Sequence, residues 1–252
     1  MYKPISKTRF IGKNIHYLPS CHSTNDIAAY KVRSGQSENG DVIIAGEQTS
    51  GRGQRGNTWK AEKGLNFTFS VVLKPAALPV TGQFLLSQSI ALGVQKYLAS
   101  EVAGPVRIKW PNDLLIGELK VAGILIENSV RGGMIGAAVA GIGINMNQAD
   151  FTLPRATSLL RETGVALALP EELEKLLLCL EEFYGLLEAG EHELLRQLYR
   201  EKLFGLGVKR RFETPGGPVE GVVSGVDANG RLLLSTAAGE RTYDIKEISW
   251  VW

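Results

Sequence analysis

The residues best suited to chemistry lie in one glycine-rich stretch, Gly51-Arg52-Gly53-Gln54-Arg55-Gly56. Glycines let a backbone approach a ligand closely and leave N–H groups free to point at anionic oxygens. Arg52 and Arg55 add planar, fork-shaped donors suited to phosphate or carboxylate. Formally the string matches the GxGxxG of a dinucleotide fold, but that motif must open a helix. The residues after Gly56, NTWKAEKG, carry no helical apolar period, and no Asp or Glu stands between Glu62 and Glu101 to meet a ribose. Protein-kinase signatures and a Walker A sequence are absent as well. The stretch therefore reads as a loop closing over an anion, the alternative being a solvated basic surface loop.

Three more strings carry polar residues where chemistry could use them. In Lys109-Trp110-Pro111-Asn112-Asp113 the proline ends a strand and Asn112-Asp113 makes a tight turn. Lys120 then starts a strand in which Gly123 is small enough to admit a ligand against the backbone. A common turn and a solvated edge lysine would look the same. Gly141-Ile142-Gly143-Ile144-Asn145-Met146-Asn147 ends an apolar strand, and glycines there cost stability unless something must come close. Asn145 would offer a base or phosphate both an acceptor and donors, unless the string is a bulge and an Asn turn. Ser23-Thr24-Asn25 is a helix N-cap signal that leaves neighbouring hydroxyls free for a polar ligand.

These strings need elements to hold them. Short strands are predicted over 14–18, 42–45, 65–73, 107–110, 114–116, 121–127 and 136–144. A helix is predicted through Ile27 to Val32, and another on the Ile90, Val94, Tyr97, Leu98 spacing. From Pro170 two amphipathic helices follow one another. Past Gly207 the chain reads strand–turn–strand, with turns at Gly216-Gly217, Asn229-Gly230 and Ala238-Gly239.

Composition bounds the answer. The 252 residues predict one or two domains, and 28 Lys plus Arg against 26 Asp plus Glu leave a net charge of +2, too little for a nucleic-acid coat. Hydrophobic residues at 44 % and charged ones at 21 % describe an ordinary globular protein. Cys21 and Cys179 are far apart, and the three histidines form no ligand spacing. No apolar run has a membrane helix's length, and the N-terminus has no signal-peptide core. A cytoplasmic protein is expected, with no membrane partner.

Taken together, STND, EQTSGRGQRGNTW, KWPND, KVAGILIE and GIGINMN resemble the biotin protein ligase family in order and spacing, over about residues 20–147. The C-terminal β module resembles that family's small SH3-like domain. The resemblance implies an α+β fold: a mixed β-sheet catalytic domain with helices packed on one side, residues 1–204, plus an SH3-like β-barrel, residues 205–252. It implies ATP-dependent activation of biotin to biotinyl-5′-AMP, with Mg²⁺ assisting, and transfer to a lysine of a biotin carboxyl carrier protein. Lys120 and Arg52 would be catalytic. Ser23, Thr24, Asn25, Gln48, Gly51, Arg52, Gly53, Gln54, Lys120 and Gly123 would bind biotin. Arg55, Asn57, Trp59, Lys109, Asn112, Asp113 and Asn145 would bind ATP, with Trp59 and Trp110 as walls; metal ligands are not assigned. Sheet-edge pairing is common in the family, which leaves a homodimer open.

Two departures from the family pattern stand out. Familiar members carry GRGRRGR, whereas Gln54 and Asn57 replace two of those arginines here, which implies looser retention of the adenylate. Bifunctional members place a helix-turn-helix before the STN motif. Only 22 residues precede Ser23 here, so no DNA binding is expected. A lipoate or octanoate ligase is the nearest rival, but its glycine-rich signature is missing. A non-catalytic module with GRGQRG as an anion or RNA contact is the rival of another class.

Overall fold

The computed structural model describes residues 2–252, the side chain of Arg55 excepted. Seven strands form the main sheet: β1 Ile15–Leu18, β2 Val42–Ala45, β3 Phe67–Leu73, β4 Val106–Lys109, β5 Asp113–Ile116, β6 Leu119–Arg131 and β7 Met134–Ile144. Their spatial order is β1-β2-β3-β7-β6-β5-β4. Only β1 and β2 run parallel; every other neighbouring pair is antiparallel, so the sheet is mixed as expected. All the strand segments predicted from the sequence form, within a few residues at their ends.

Two layers of helix cover this sheet unequally. The long helices α2 (Gln83–Glu101), α4 (Leu169–Glu188) and α5 (His192–Lys202) share one core with Phe67, Phe69, Val71 and Leu73 of β3. Helix α2 is buried almost all round because it lies inside this layer. Gly93 makes its crossing with α4 close: a Cβ there would stand 2.8 Å from Leu180 Cα. Helix α1 (Thr24–Arg33) is the exception to helices packing on one side. Its Ala28 joins Ile43, Val72 and Val139 in a small core on the opposite face. Strand β3 is thereby buried on both faces, although Thr68 and Ser70 alternate with its apolar residues. A short helix, α3 (Leu159–Thr163), was not legible in the sequence; at five residues it shows no period.

One half-buried carboxylate ties the N-terminal segment down. Glu181 of α4 accepts the backbone N–H groups of Arg9, Phe10 and Ile11 at 2.6, 2.9 and 2.9 Å. Those groups lie outside any strand and would otherwise be left without partners.

The five remaining strands, β8 (Lys209–Thr214), β9 (Gly217–Val226), β10 (Leu232–Thr236), β11 (Gly239–Tyr243) and β12 (Ser249–Trp250), form an antiparallel SH3-like module. Its strand order is β11-β10-β9-β8-β12, with turns at the three predicted glycine positions. The module is packed onto the main domain. Trp110 Nε1 donates to Gly230 O at 2.8 Å, and a Cβ on Gly230 would stand 2.6 Å from Phe84. Arg210 pairs with Glu118 at 2.9 Å, and Phe212, Val223 and Leu234 join the shared core. No helix among the described residues is long and apolar enough to cross a membrane.

Candidate active site

A cavity of about 350 Å³ opens on the sheet face that carries α1. That size suits a small organic ligand. Its walls run along the strand order, from α1 and β3 at one end, past β7 and β6, to β5, β4 and the SH3-like module. Of the residues expected at the site, Ser23, Thr24, Asn25, Gln48, Arg52, Gly53, Gln54, Asn57, Trp59, Lys109, Asn112, Asp113, Lys120 and Gly123 line it. The sheet brings together strings that lie up to 100 residues apart in the chain.

At the α1 end the polar groups form a buried network. Gln48 Oε1 accepts the Thr24 backbone N–H at 2.7 Å and lies 3.1 Å from its hydroxyl. Ser70 Oγ stands 2.7 Å from Asn25 Oδ1 and 2.8 Å from Thr24 Oγ1. A hydroxyl has one proton, so Ser70 gives it to the Asn25 oxygen and Thr24 must choose between Gln48 and Ser70. Ser23 holds the N-cap position of α1, but its hydroxyl makes no capping bond. Within the described residues neither that hydroxyl nor the Gln48 amide nitrogen has a hydrogen-bond partner, and both residues line the cavity. They are free to meet a neutral ligand with paired donors and acceptors.

The strand glycines work differently from the expectation. Gly123 and Gly143 face each other across β6 and β7, and Gly141 pairs with Leu125. A Cβ on Gly143 would lie 2.3 Å from Trp59 Cε2, and one on Gly141 would lie 2.2 Å from Asn25 Oδ1. What must come close is thus the protein's own Trp59 and Asn25, seated on a smooth floor. Trp59 Nε1 is buried there without a partner. The indole also lies 5.7 Å from Lys120 Nζ.

Lys120 and Lys109 share one carboxylate. Asp113 is 2.6 Å from Lys120 Nζ and 3.3 Å from Lys109 Nζ, and its side chain is only 16 % exposed. One anion between two cations leaves a local positive charge. Asn112 Nδ2 donates to Ile124 O at 2.8 Å, which fixes the turn between β4 and β5 against β6.

The glycine loop is a folded-back turn rather than a helix start. Gln54–Gly56 form a single 3₁₀ turn, and Trp59 N–H returns to Gly51 O at 2.9 Å. Arg52 Nη2 stands 2.7 Å from Asp26 and 2.6 Å from Glu127, so the loop is pinned to α1 and β6. A guanidinium has five N–H donors, and the two carboxylates engage only this nitrogen. The remaining donors stay available to an anion.

Two expected site residues stand elsewhere. Gly51 does not line the cavity: it is needed because a Cβ would meet Trp59 O at 2.4 Å. Asn145 is buried and donates to Thr157 O at 2.9 Å, so it fastens the chain beyond β7 instead of facing a nucleotide. The side chain of Arg55 falls outside the described residues. Trp110 touches the cavity but is 1 % exposed and bonded to Gly230, which makes it a post under the C-terminal module more than a ligand wall.

The sequence reading missed Ser70, which completes the polar network, and the pair Trp250 and Trp252, which line the cavity from the C-terminal module. Two of the four tryptophans within three residues of the C-terminal end were the available signal. Both cysteines are free, and burial, with Asp26 added at Cys21, pushes their thiols above the usual range. Neither has the character of a nucleophile.

Comparison with known proteins bears on this geometry. Residues 17–145 match the biotin/lipoate A/B protein ligase family, and residues 211–249 match the biotin protein ligase C terminal domain. The chain is 31% identical over 242 residues to the bifunctional ligase/repressor BirA of Bacillus subtilis, covering 92% of this chain and 73% of that protein. It is 34% identical over 225 residues to the biotin–[acetyl-CoA-carboxylase] ligase of Mycobacterium tuberculosis, covering 87% and 82%. Among solved structures, the biotin protein ligase from Aquifex aeolicus in complex with biotin and ATP superposes with a TM-score of 0.79 at 27% identity, over 94% of this chain and 98% of that one. With both family models matched in order, and a relative 31% identical over 92% of this chain and 73% of its own length, the chain belongs to the biotin protein ligase family.

Proposed function

We propose that the cavity binds biotin and ATP end to end and joins them over Lys120. The observation that carries this reading is the order of chemistry along the sheet. A neutral, prepaired polar end at Ser23, Thr24, Asn25 and Gln48 suits the ureido head of biotin. The lysines at Asp113 lie further along, in β6 and β4, where an acid and a phosphate would meet. A biotin carboxylate oxygen attacks the α-phosphorus of ATP, and pyrophosphate leaves. The amine of a carrier-protein lysine then attacks the acyl carbon of biotinyl-5′-AMP, AMP leaves, and the amine gives up its proton.

Both partners in the first step are anions, so their approach needs fixed cations. Lys120 takes the position between carboxylate and α-phosphate, with Asp113 as the group that orients it. Arg52 lines the same cavity, with donors beyond the one nitrogen its two carboxylates engage. Gly53, Gln54, Asn57 and the Arg55 position supply loop contacts, and Trp59 walls the junction; Lys109 and Asn112 serve the nucleotide. The loop closes over a mixed anhydride and keeps water from it. Gly123 lets Lys120 swing, since a Cβ there would lie 3.3 Å from its Nζ.

Asp113 is the one carboxylate among the residues lining the cavity, and no cluster of three His, Cys, Asp or Glu occurs among the described residues. Both oxygens of Asp113 are engaged by Lys120 and Lys109, so that donor set does not fit a resident metal and fits Mg²⁺ that would be carried in on the triphosphate oxygens. The ion would neutralise charge on the phosphates during attack.

We divide the work between a catalytic unit over 1–204 and the SH3-like unit over 205–252, acting in the cytoplasm on the carrier domain of a biotin-dependent carboxylase. The test is ATP–pyrophosphate exchange followed by transfer to an apo carrier domain. Biotin should stimulate exchange and lipoate should not. Exchange driven by lipoate, or none with biotin, would overturn the reading.

A further inference from the structure

We propose that Glu127 is a positioning residue for the reaction, which aims the Arg52 guanidinium from outside the cavity. The inference rests on the reading above, in which Arg52 meets the anionic groups of the ligands. The residues that close the strings STND and KVAGILIE, Asp26 and Glu127, have no part in that reading. Neither lines the cavity, yet both reach the same nitrogen of Arg52, which does. Gly123, Leu125 and Glu127 alternate along β6 and so share the face that carries α1. The first two line the cavity, and Glu127 is the next residue on that face.

A chain of hydrogen bonds runs from the buried network at α1 to this arginine. Ser70 Oγ holds Asn25 Oδ1 at 2.7 Å, and that oxygen is seated against the bare backbone of Gly141. Asn25 Nδ2 has two protons and donates both to β6, to Leu125 O at 3.3 Å and to Glu127 Oε2 at 2.8 Å. Arg52 Nη2 also has two protons, and it gives one to Glu127 Oε2 at 2.6 Å and one to Asp26 Oδ1 at 2.7 Å. The guanidinium is planar, so fixing both protons of one nitrogen fixes the direction of all its other donors. Arg52 also pairs with Thr58 across the hairpin that carries the Gln54–Gly56 turn, so the clasp sets the base of the glycine loop. All three charged side chains are half-exposed, where such ion pairs add little to stability. Two carboxylates on one cation also leave an excess negative charge beside a site for anions. What the arrangement supplies is an arginine that is ordered and aimed before its ligand arrives.

The test measures biotin-dependent pyrophosphate exchange in the full chain as wild type, Glu127→Ala, Arg52→Ala and the double variant. Glu127→Ala should lower kcat about tenfold or more and leave KM for ATP within about twofold. Its melting temperature should stay at the wild-type value. Glu127→Gln keeps an acceptor oxygen for Asn25 and Arg52 and should recover part of the loss. In the Arg52→Ala background the loss of Glu127 should cost less than about twofold, because the group it aims is gone. A wild-type kcat in Glu127→Ala overturns the proposal, as does an equal loss in both backgrounds. Amide hydrogen exchange over residues 51–59, with no substrate present, gives a second readout. Glu127→Ala should speed exchange at the Gly53 and Trp59 amides several-fold, since these close the base of the loop. Unchanged amide rates overturn the proposal. A wild type with no biotin-stimulated pyrophosphate exchange, but with loop amides that Glu127→Ala loosens, would count against the substrates and for the clasp.

Discussion

At the α1 end of the cavity Thr24, Asn25, Gln48 and Ser70 are joined by hydrogen bonds of 2.7 to 3.1 Å, and Thr24, Asn25 and Ser70 are buried. At the opposite end Lys109, Lys120 and Asp113 meet a half-exposed indole, with Arg155 behind it. The first end presents preformed, uncharged side chains, with the Glu127 carboxylate behind Asn25 at 2.8 Å; the second presents charged groups, of which Lys120 is the most exposed. A buried polar group must be paired before the ligand arrives, because leaving it unpaired costs about 1–3 kcal/mol. Exposed cations can wait in water at little cost and gain strength when a ligand excludes it. The two ends therefore read their ligands differently: one by fixed geometry, the other by charge and area.

The sharpest break of that contrast is Lys120→Ala, which removes the cation where charge builds up. It should lower exchange by about 10²–10³-fold with both KM values little changed, as expected for a contact made mainly in the transition state. Steady-state kinetics with each substrate varied in turn checks this, and near-wild-type exchange would break the mechanism. Next in size is Gly141→Ala. Its Cβ would stand 2.2 Å from Asn25 Oδ1, so the neutral end must be displaced. We expect a stability loss of about 1–3 kcal/mol in denaturant melts and a raised KM for biotin, with KM for ATP following much less.

Thr24→Val probes the same end more gently. It keeps shape but removes the one hydroxyl proton that either Gln48 or Ser70 receives. KM for biotin should rise about tenfold for a loss of about 1–2 kcal/mol, with ATP unaffected; equal effects on both substrates would show that the ends are not separate. The smallest expected effect is that of Gln54→Arg in the glycine loop. An added fork-shaped donor at a position lining the cavity should slow adenylate dissociation several-fold. Trapping released biotinyl-5′-AMP measures it, and equal rates in the two proteins would remove any role for Gln54.

Much of this site was legible from local strings, and the failures have physical causes. Lys120, Asp113, Asn112, Gln48 and the Ser23–Asn25 triplet all reach the cavity because each sits at the end or start of an element the sequence marks clearly. Asn145 did not, although its GIGIN string looked like a ligand contact. Its amide is consumed by Thr157 O, on a segment twelve residues later whose return path has no local signal. The strand glycines were recognised as sites of close approach, but the partners that approach are Trp59 and Asn25, from distant parts of the chain. Arg52 was expected to meet the anionic groups of the ligands, and no local string recorded that Asp26 and Glu127 also share it.

The sequence by itself determined the element types, the turn positions and the inventory of reactive side chains. These depend on period, propensity and glycine placement, which act within a few residues. The tertiary structure alone decided that β3 lies beside β7 and that α1 covers the face opposite the long helices. It also decided that a tryptophan from the SH3-like module closes the far end of the cavity. Those choices rest on non-local packing: which apolar face finds which partner across a hundred residues or more is settled by burial and close contact together, and no short string records it.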